Sequence, residues 1–244
     1  MLTQLIILFV ISFIAATISG AAGFGGALIL LPFLSNIVGV KAAVPIITIG
    51  QIFGNASRVW FNKNDLQWKP VLSFLITAIP FSVYGSFLFN KINADTISLG
   101  IGVFLILIVV YRRLNIQKKI QIKSNNMMLA GGGITGFLSG VAGSAGPLGA
   151  AFFLGLNLHA KAYLASEAFT ALAMHITKSI VYNRFLLVGK SELLYGILIG
   201  FAMILGSYTG KIIIENLSKN KFLQLVEFLL VLSGFQLILK SVFN

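Results

Sequence analysis

Ser19-Gly-Ala-Ala-Gly-Phe-Gly-Gly-Ala-Leu28 returns 120 residues later as Ser139-Gly-Val-Ala-Gly-Ser-Ala-Gly-Pro-Leu148, and this pair of stretches decides how the chain folds. The likeness extends outward on both sides without a gap. Ile14 reappears as Ile134, Phe33 and Leu34 as Phe153 and Leu154, and Lys41 and Ala42 as Lys161 and Ala162. The chain is therefore a duplicated unit. Each glycine cluster interrupts an apolar stretch where a continuous helix would need good helix formers, so a helix break is expected twice, at matching places. Two copies of an apolar unit, each with a broken helix, form the sequence pattern of a membrane transporter whose site lies where the copies meet.

Composition agrees. Of 244 residues, 57% are hydrophobic and only 10% charged, with mean hydropathy +0.96, too much apolar surface for one water-soluble core. The net charge of +12 would suggest nucleic acid in a soluble protein. Here the basic residues sit between apolar segments, as in cytoplasmic loops, and no nucleic-acid partner is expected. The absence of cysteine excludes disulfides and thiolate metal sites. The first residues lack the charged region of a signal peptide, and the first apolar stretch is expected to stay in the mature protein.

Apolar segments run at 4–19, 25–38, 41–62, 69–89 and 95–111, then at 127–142, 146–157, 161–182, 191–214 and 222–240. The reading is an all-α polytopic membrane protein: repeat 1 over 1–111, a basic linker over 112–126, and repeat 2 over 127–244. The linker carries Arg112, Arg113, Lys118, Lys119 and Lys123 without an acid, which marks it as cytoplasmic. The first two segments of each half are short for a bilayer and read as tilted spans or as half-helices entering and leaving on one side. Either way each half crosses an odd number of times, so the second copy is inserted upside down. Parallel halves would follow only if those two segments formed one broken span. With the linker inside, twelve basic residues fall on the cytoplasmic side and six outside, which favours inversion. Trp60 and Trp68 flank the loop assigned to the inner face, where indoles settle, though ordinary packing explains them nearly as well.

The stripe Ser12, Ala16, Gly20 aligns with Gly132, Gly136, Gly140 and reads as close helix packing. The glycines that follow, Gly23, Gly25 and Gly26 with Gly143, Ser144 and Gly146, read either as packing or as a cradle of free backbone N–H groups for an anion at a helix N-terminus. Pro147 suits the first turn of the restarted helix. On the third segment of repeat 1, Thr48, Gln51, Asn55 and Arg58 share a helical stripe; in repeat 2, Glu167, Ala171, His175 and Lys178 do the same. Polar side chains in a spanning helix face a cavity or a partner, so Gln51, Asn55, Arg58, His175 and Lys178 are substrate-binding candidates. Glu167 and His175 are candidate proton carriers. Arg58 and Lys178 are expected near opposite faces, either snorkelling or drawing anions in. Glu227 is expected to pair with a loop lysine, and His159 to be solvated.

With the glycine break followed by Leu28-Ile-Leu-Leu-Pro32, its partner Gly140 to Pro147 and the basic middle loop, the sequence resembles the TauE/SafE sulfite exporter family, also called toluene sulfonate uptake permeases. The resemblance spans the chain and implies an integral membrane carrier of sulfite, sulfonates or related small organic anions. The second copy departs in having Ala145-Gly-Pro147 where the first has Gly25-Gly-Ala27, so the two cradles need not contribute equally.

The expected function is secondary transport of a small anion by alternating access, in the cell membrane, with no cofactor and with self-association left open. No GxxxxGK[ST] stretch supports ATP hydrolysis, and no HExxH pair or GxSxG elbow supports an intramembrane enzyme. A cation or metal permease would need more intramembrane acids. An accessory membrane protein that moves nothing is the remaining alternative.

Overall fold

The computed structural model describes residues 2–114, 121–122, 124–213, 227–228, 231–232, 234–239 and 241–242. Lys118, Lys119, Lys123, Lys219, Lys221 and Lys240, with residues 222–226, 229, 230 and 233 of the last apolar segment, lie outside them. The first half forms α1 (Leu2–Ala22), α2 (Gly26–Val38), α3 (Val40–Phe61), a one-turn helix (Lys63–Asp65), α4 (Trp68–Lys91) and α5 (Ala94–Arg113). The second forms α6 (Asn125–Ala142), α7 (Gly146–Leu154), α8 (Ala160–Arg184) and α9 (Lys190–Ile213). Helical backbone recurs among the described residues of 227–242. No strand occurs among the described residues, and the protein is an all-α polytopic membrane protein.

By length and apolarity, α4, residues 94–111 of α5 and most of α9 are each sufficient to cross a bilayer. Their outward faces carry Leu72, Ile76, Leu107, Leu194 and Phe201, all more than half exposed, which suits lipid contact. The helices α3 and α8 are 22 and 25 residues long but more polar. They tolerate this because neighbours shield them: α2, α8 and α9 pack on α3, and α3, α4 and α7 pack on α8.

The break in each half falls at the glycine cluster. Gly23 and Gly25, with φ of 83° and 101°, adopt the left-handed conformation between α1 and α2. Gly143, with φ of 80°, ends α6. A Cβ on Gly26 would lie 3.0 Å from Ser19 Cβ and 3.1 Å from the Ala15 carbonyl, so α2 turns back along α1 rather than extending it. With 13 residues in α2 and 9 in α7, these restarts reach about 20 and 14 Å at 1.5 Å per residue, short of the roughly 30 Å hydrocarbon core. The first helices are longer than their apolar stretches, at 21 and 18 residues.

The halves interlock. The most extensive packing joins α4 to α6 and α1 to α9, each pair taking one helix from either side of the linker. Gly132, Gly136 and Gly140 press against Phe74, Ala78 and Ser82; numbering climbs together, so α4 and α6 run in the same direction. At Gly136 a Cβ would sit 2.3 Å from the Ala78 carbonyl oxygen, so only glycine admits this approach. In the other pair Gly20 meets Ser207, and Gly206 meets Phe13 and Ala16. The small-residue stripe is therefore packing in both halves.

One end of the molecule can be traced through its loops. His159, before α8, lies 3.6 Å from Asp65, just after α3, and the Gln67 amide donates to Ser166 Oγ at 3.0 Å. Thus α8 begins where α3 ends. Ile122, at the end of the linker, donates to the Gly155 carbonyl in the same neighbourhood. Trp60 and Trp68 are exposed at this end, with Trp68 edge-on to Phe169 and Lys63 over the Trp60 ring. Two sequence expectations are refined here. Glu227 pairs with Arg113, which closes α5, at 2.7 Å. His159 is not merely solvated; its Nδ1 accepts from the Ala162 amide at 3.4 Å and caps α8.

Candidate functional site

Both helix breaks open onto one small cavity that is continuous with the surrounding solvent. The first half contributes Ser19, Phe24 to Ala27, Gln51, Asn55 and Arg58. The second contributes Thr135, Ser139, Ser144 to Gly146 and, from α8, Glu167, Thr170 and His175. The N-terminal turns of α2 and α7, where amides lack intrahelical acceptors, both reach it. A smaller space between α1, α3 and α9 shares Ser19, Gln51 and Arg58 with it, so these three residues stand between the two.

The polar stripe of α3 is tied into a network. Arg58 Nη1 donates to the Gly23 carbonyl and to Glu167 Oε2, the latter at 3.3 Å, while its Nη2 donates to Asn55 Oδ1. Asn55 Nδ2 in turn donates to the Gln51 carbonyl at 2.8 Å and to Gln51 Oε1 at 3.3 Å. The guanidinium is buried rather than snorkelling, and its ion pair with Glu167 joins α3 to α8 across the halves. Glu167 therefore pairs with Arg58.

Lys178, the residue aligned with Arg58, makes the corresponding contact in the other half. Its Nζ donates to the Gly143 carbonyl at 2.6 Å, as Arg58 does to that of Gly23, and to Ser139 Oγ and carbonyl at 2.8 and 3.3 Å. Three acceptors match the three donors of an ammonium. Lys178 is wholly buried, far from the membrane-face position expected from its place on the helix. The position aligned with Glu167 in the first half is Ile47, so Lys178 has no carboxylate partner among the described residues.

Of the residues singled out in the sequence, Gly25, Gly26, Gln51, Asn55, Arg58, Ser144, Gly146, Glu167 and His175 come together on the cavity wall. Gly23, Gly143 and Lys178 do not line it. At Gly23 the amide is used by the Ser19 carbonyl at 2.8 Å. The Gly23 and Gly143 carbonyls instead anchor the two cations, because the left-handed turn that ends each helix points them inward. Sequence reasoning passed over Ser19, Thr135, Ser139 and Thr170, all on the wall. The signal was present for two of them, since Ser19 recurs as Ser139 in the repeat.

An all-helical bundle of this hydropathy, with a polar cavity buried between two helix breaks, is an integral membrane protein of the carrier type. Residues 8–237 match the family model described as Sulfite exporter TauE/SafE, and the chain belongs to that family, one of transporters and not of enzymes. No curated protein and no solved structure matched the chain.

Proposed function

We propose that this protein is a secondary transporter of a small anion such as sulfite or a sulfonate, working by alternating access between two inverted repeats, 1–111 and 127–244, with the 112–126 linker on the cytoplasmic side of the cell membrane. The observation that carries the anion reading is Lys178, a buried cation without a carboxylate partner among the described residues, one hydrogen bond behind Ser139 on the cavity wall. A buried charge demands compensation, and a ligand of opposite sign supplies it each time the cavity fills.

Inversion is supported by equivalent helices running opposite ways: α8 begins at the end of the molecule where α3 finishes. The helix N-termini of α2 and α7 add positive potential from both halves. Arg58, Asn55 and Glu167 act as a fixed polar clamp rather than as an entry funnel. Coupling is to protons or membrane potential, with Glu167 and His175 as the titratable groups on the wall.

The test is uptake of sulfite into proteoliposomes, with sulfonates and carboxylates as competitors. Saturable uptake that falls at least tenfold in Lys178→Met is expected. Uptake no greater than in empty liposomes for every anion in the panel refutes transport and favours an accessory role. Undiminished uptake in Lys178→Met refutes the part given to that charge.

A further inference from the structure

Helical serines and threonines ordinarily satisfy their hydroxyl on a carbonyl three or four residues back. Ser12, Thr17, Thr48, Thr170 and Thr177 all do so here. Thr135 does not. It is 1% exposed, it lines the cavity, and its Oγ1 has no partner among the described residues. One turn along α6, Ser139 lines the same cavity and accepts from Lys178 through Oγ. Accepting there points its own hydroxyl hydrogen away from the ammonium, and no acceptor takes that hydrogen among the described residues. From α8 comes His175, 4% exposed, with Nδ1 likewise unpartnered. Buried polar groups left without partners call for an explanation, and Thr135 and His175 are the two of these among the described residues that line the cavity.

The charged groups around the same cavity are already occupied. Arg58 is committed to the Gly23 carbonyl, Asn55 and Glu167, and its charge offsets that of Glu167. The halves also differ: the positions aligned with Thr135 and His175 are Ala15, which has no hydroxyl, and Asn55, which is already bonded to Gln51 and Arg58.

We propose that Thr135, Ser139 and His175 make the direct contacts to the carried anion, two hydroxyls and an imidazole Nδ1–H donating to its oxygens, with Lys178 supplying charge through Ser139. The ligand class is a small oxyanion bearing several acceptor oxygens on one centre, the sulfite or sulfonate head group. The assignment rests on the transport reading and divides the labour: Arg58 and Asn55 of repeat 1 build the clamp with Glu167, and the other polar groups of repeat 2 hold the cargo.

The experiment is calorimetric titration of sodium sulfite, and separately of methanesulfonate, into the full-length protein in nanodiscs. The chain has no cysteine and hence no disulfide for sulfite to cleave. Thr135→Val keeps the side-chain shape and removes the hydroxyl. The expected result is a Kd raised about ten- to a hundredfold, the range for one hydrogen bond to a charged ligand. Thr135→Ser is expected to restore Kd to within a few-fold. Unliganded Thr135→Val should melt no lower than the parent, because an orphaned hydroxyl has been removed, whereas a structural role would lower the melting temperature. Ser139→Ala is a second variant expected to lose affinity over the same range. If both Thr135→Val and Ser139→Ala bind sulfite like the parent, the cradle is wrong while the transport reading stands. A parent protein that binds neither probe overturns both.

Discussion

Breaking the Arg58–Glu167 pair should be costly in an asymmetric way. The two side chains are 7% and 3% exposed and meet at 3.3 Å, so neither can recover its hydration when the other is removed. Deleting one member of such a buried pair typically costs about 3–5 kcal/mol. Glu167→Gln leaves Arg58 with the Gly23 carbonyl and Asn55 Oδ1, which places it at the low end of that range. Arg58→Gln strands a carboxylate that has no other donor among the described residues and also frees the Gly23 carbonyl, which places it at the high end. For a chain of this size each kcal/mol moves the melting temperature by about 2–4 °C, so drops of about 6 °C for the milder variant and up to about 20 °C for the harsher are expected. The assay is thermal unfolding in detergent followed by tryptophan fluorescence; Trp60 stands two residues from Arg58 and reports this region. The double variant should be more stable than the sum of the single losses by about 0.5–3 kcal/mol, the coupling of residues in contact. Losses that add to within about 0.5 kcal/mol would refute the clamp.

The remaining expectations concern backbone, packing and topology. Gly25→Ala should cost about 1–2 kcal/mol from its left-handed conformation alone, since the space beside it is open. Gly23→Ala should cost more, because its Cβ would also lie 2.6 Å from the Tyr163 hydroxyl; equal melting temperatures for the two would contradict this. On α6, Gly136→Ala meets the Ala78 carbonyl at 2.3 Å and should destabilise by about 1–3 kcal/mol, whereas Gly133→Ala finds its nearest neighbour at 3.7 Å and should be neutral or stabilising by up to about 1 kcal/mol. Asn64→Cys and Leu186→Cys occupy equivalent connections of the two halves and are exposed in a chain without other cysteines. A membrane-impermeant thiol reagent should label them from opposite sides, and labelling from one side would exclude inversion.

Much of the architecture was readable from residue pattern because it depends on local properties. Glycine runs interrupt helices wherever they fall, and a small residue every fourth position marks a close crossing whichever helix supplies the partner. The identity of the partner was not readable: nothing in Gly132-Gly133-Ile-Thr-Gly136 tells that α4, rather than a helix of its own half, lies against it. The site was legible in part for the same reason. Gln51, Asn55, Arg58, Glu167 and His175 announced themselves as polar groups in an apolar setting, but the pairing of Arg58 with Glu167 spans 109 positions and needs the fold. Thr135 and Ser139 were hidden by company, being small residues within a stripe of glycines that already had a packing explanation. Lys178 was placed by helix position near a face, yet its reach carries the ammonium inward to the Gly143 carbonyl.

The exchange of helices between halves, α6 on α4 and α1 on α9, constrains how the protein is made. When the ribosome has delivered only residues 1–111, the stripe of α1 and the glycine-accepting face of α4 have no counterpart in the lipid, because both counterparts lie beyond the linker. The bundle is complete only once α9 has emerged to cover α1. Severing the chain within 112–126 and supplying the pieces together would then restore a working molecule only when both are inserted in the same membrane.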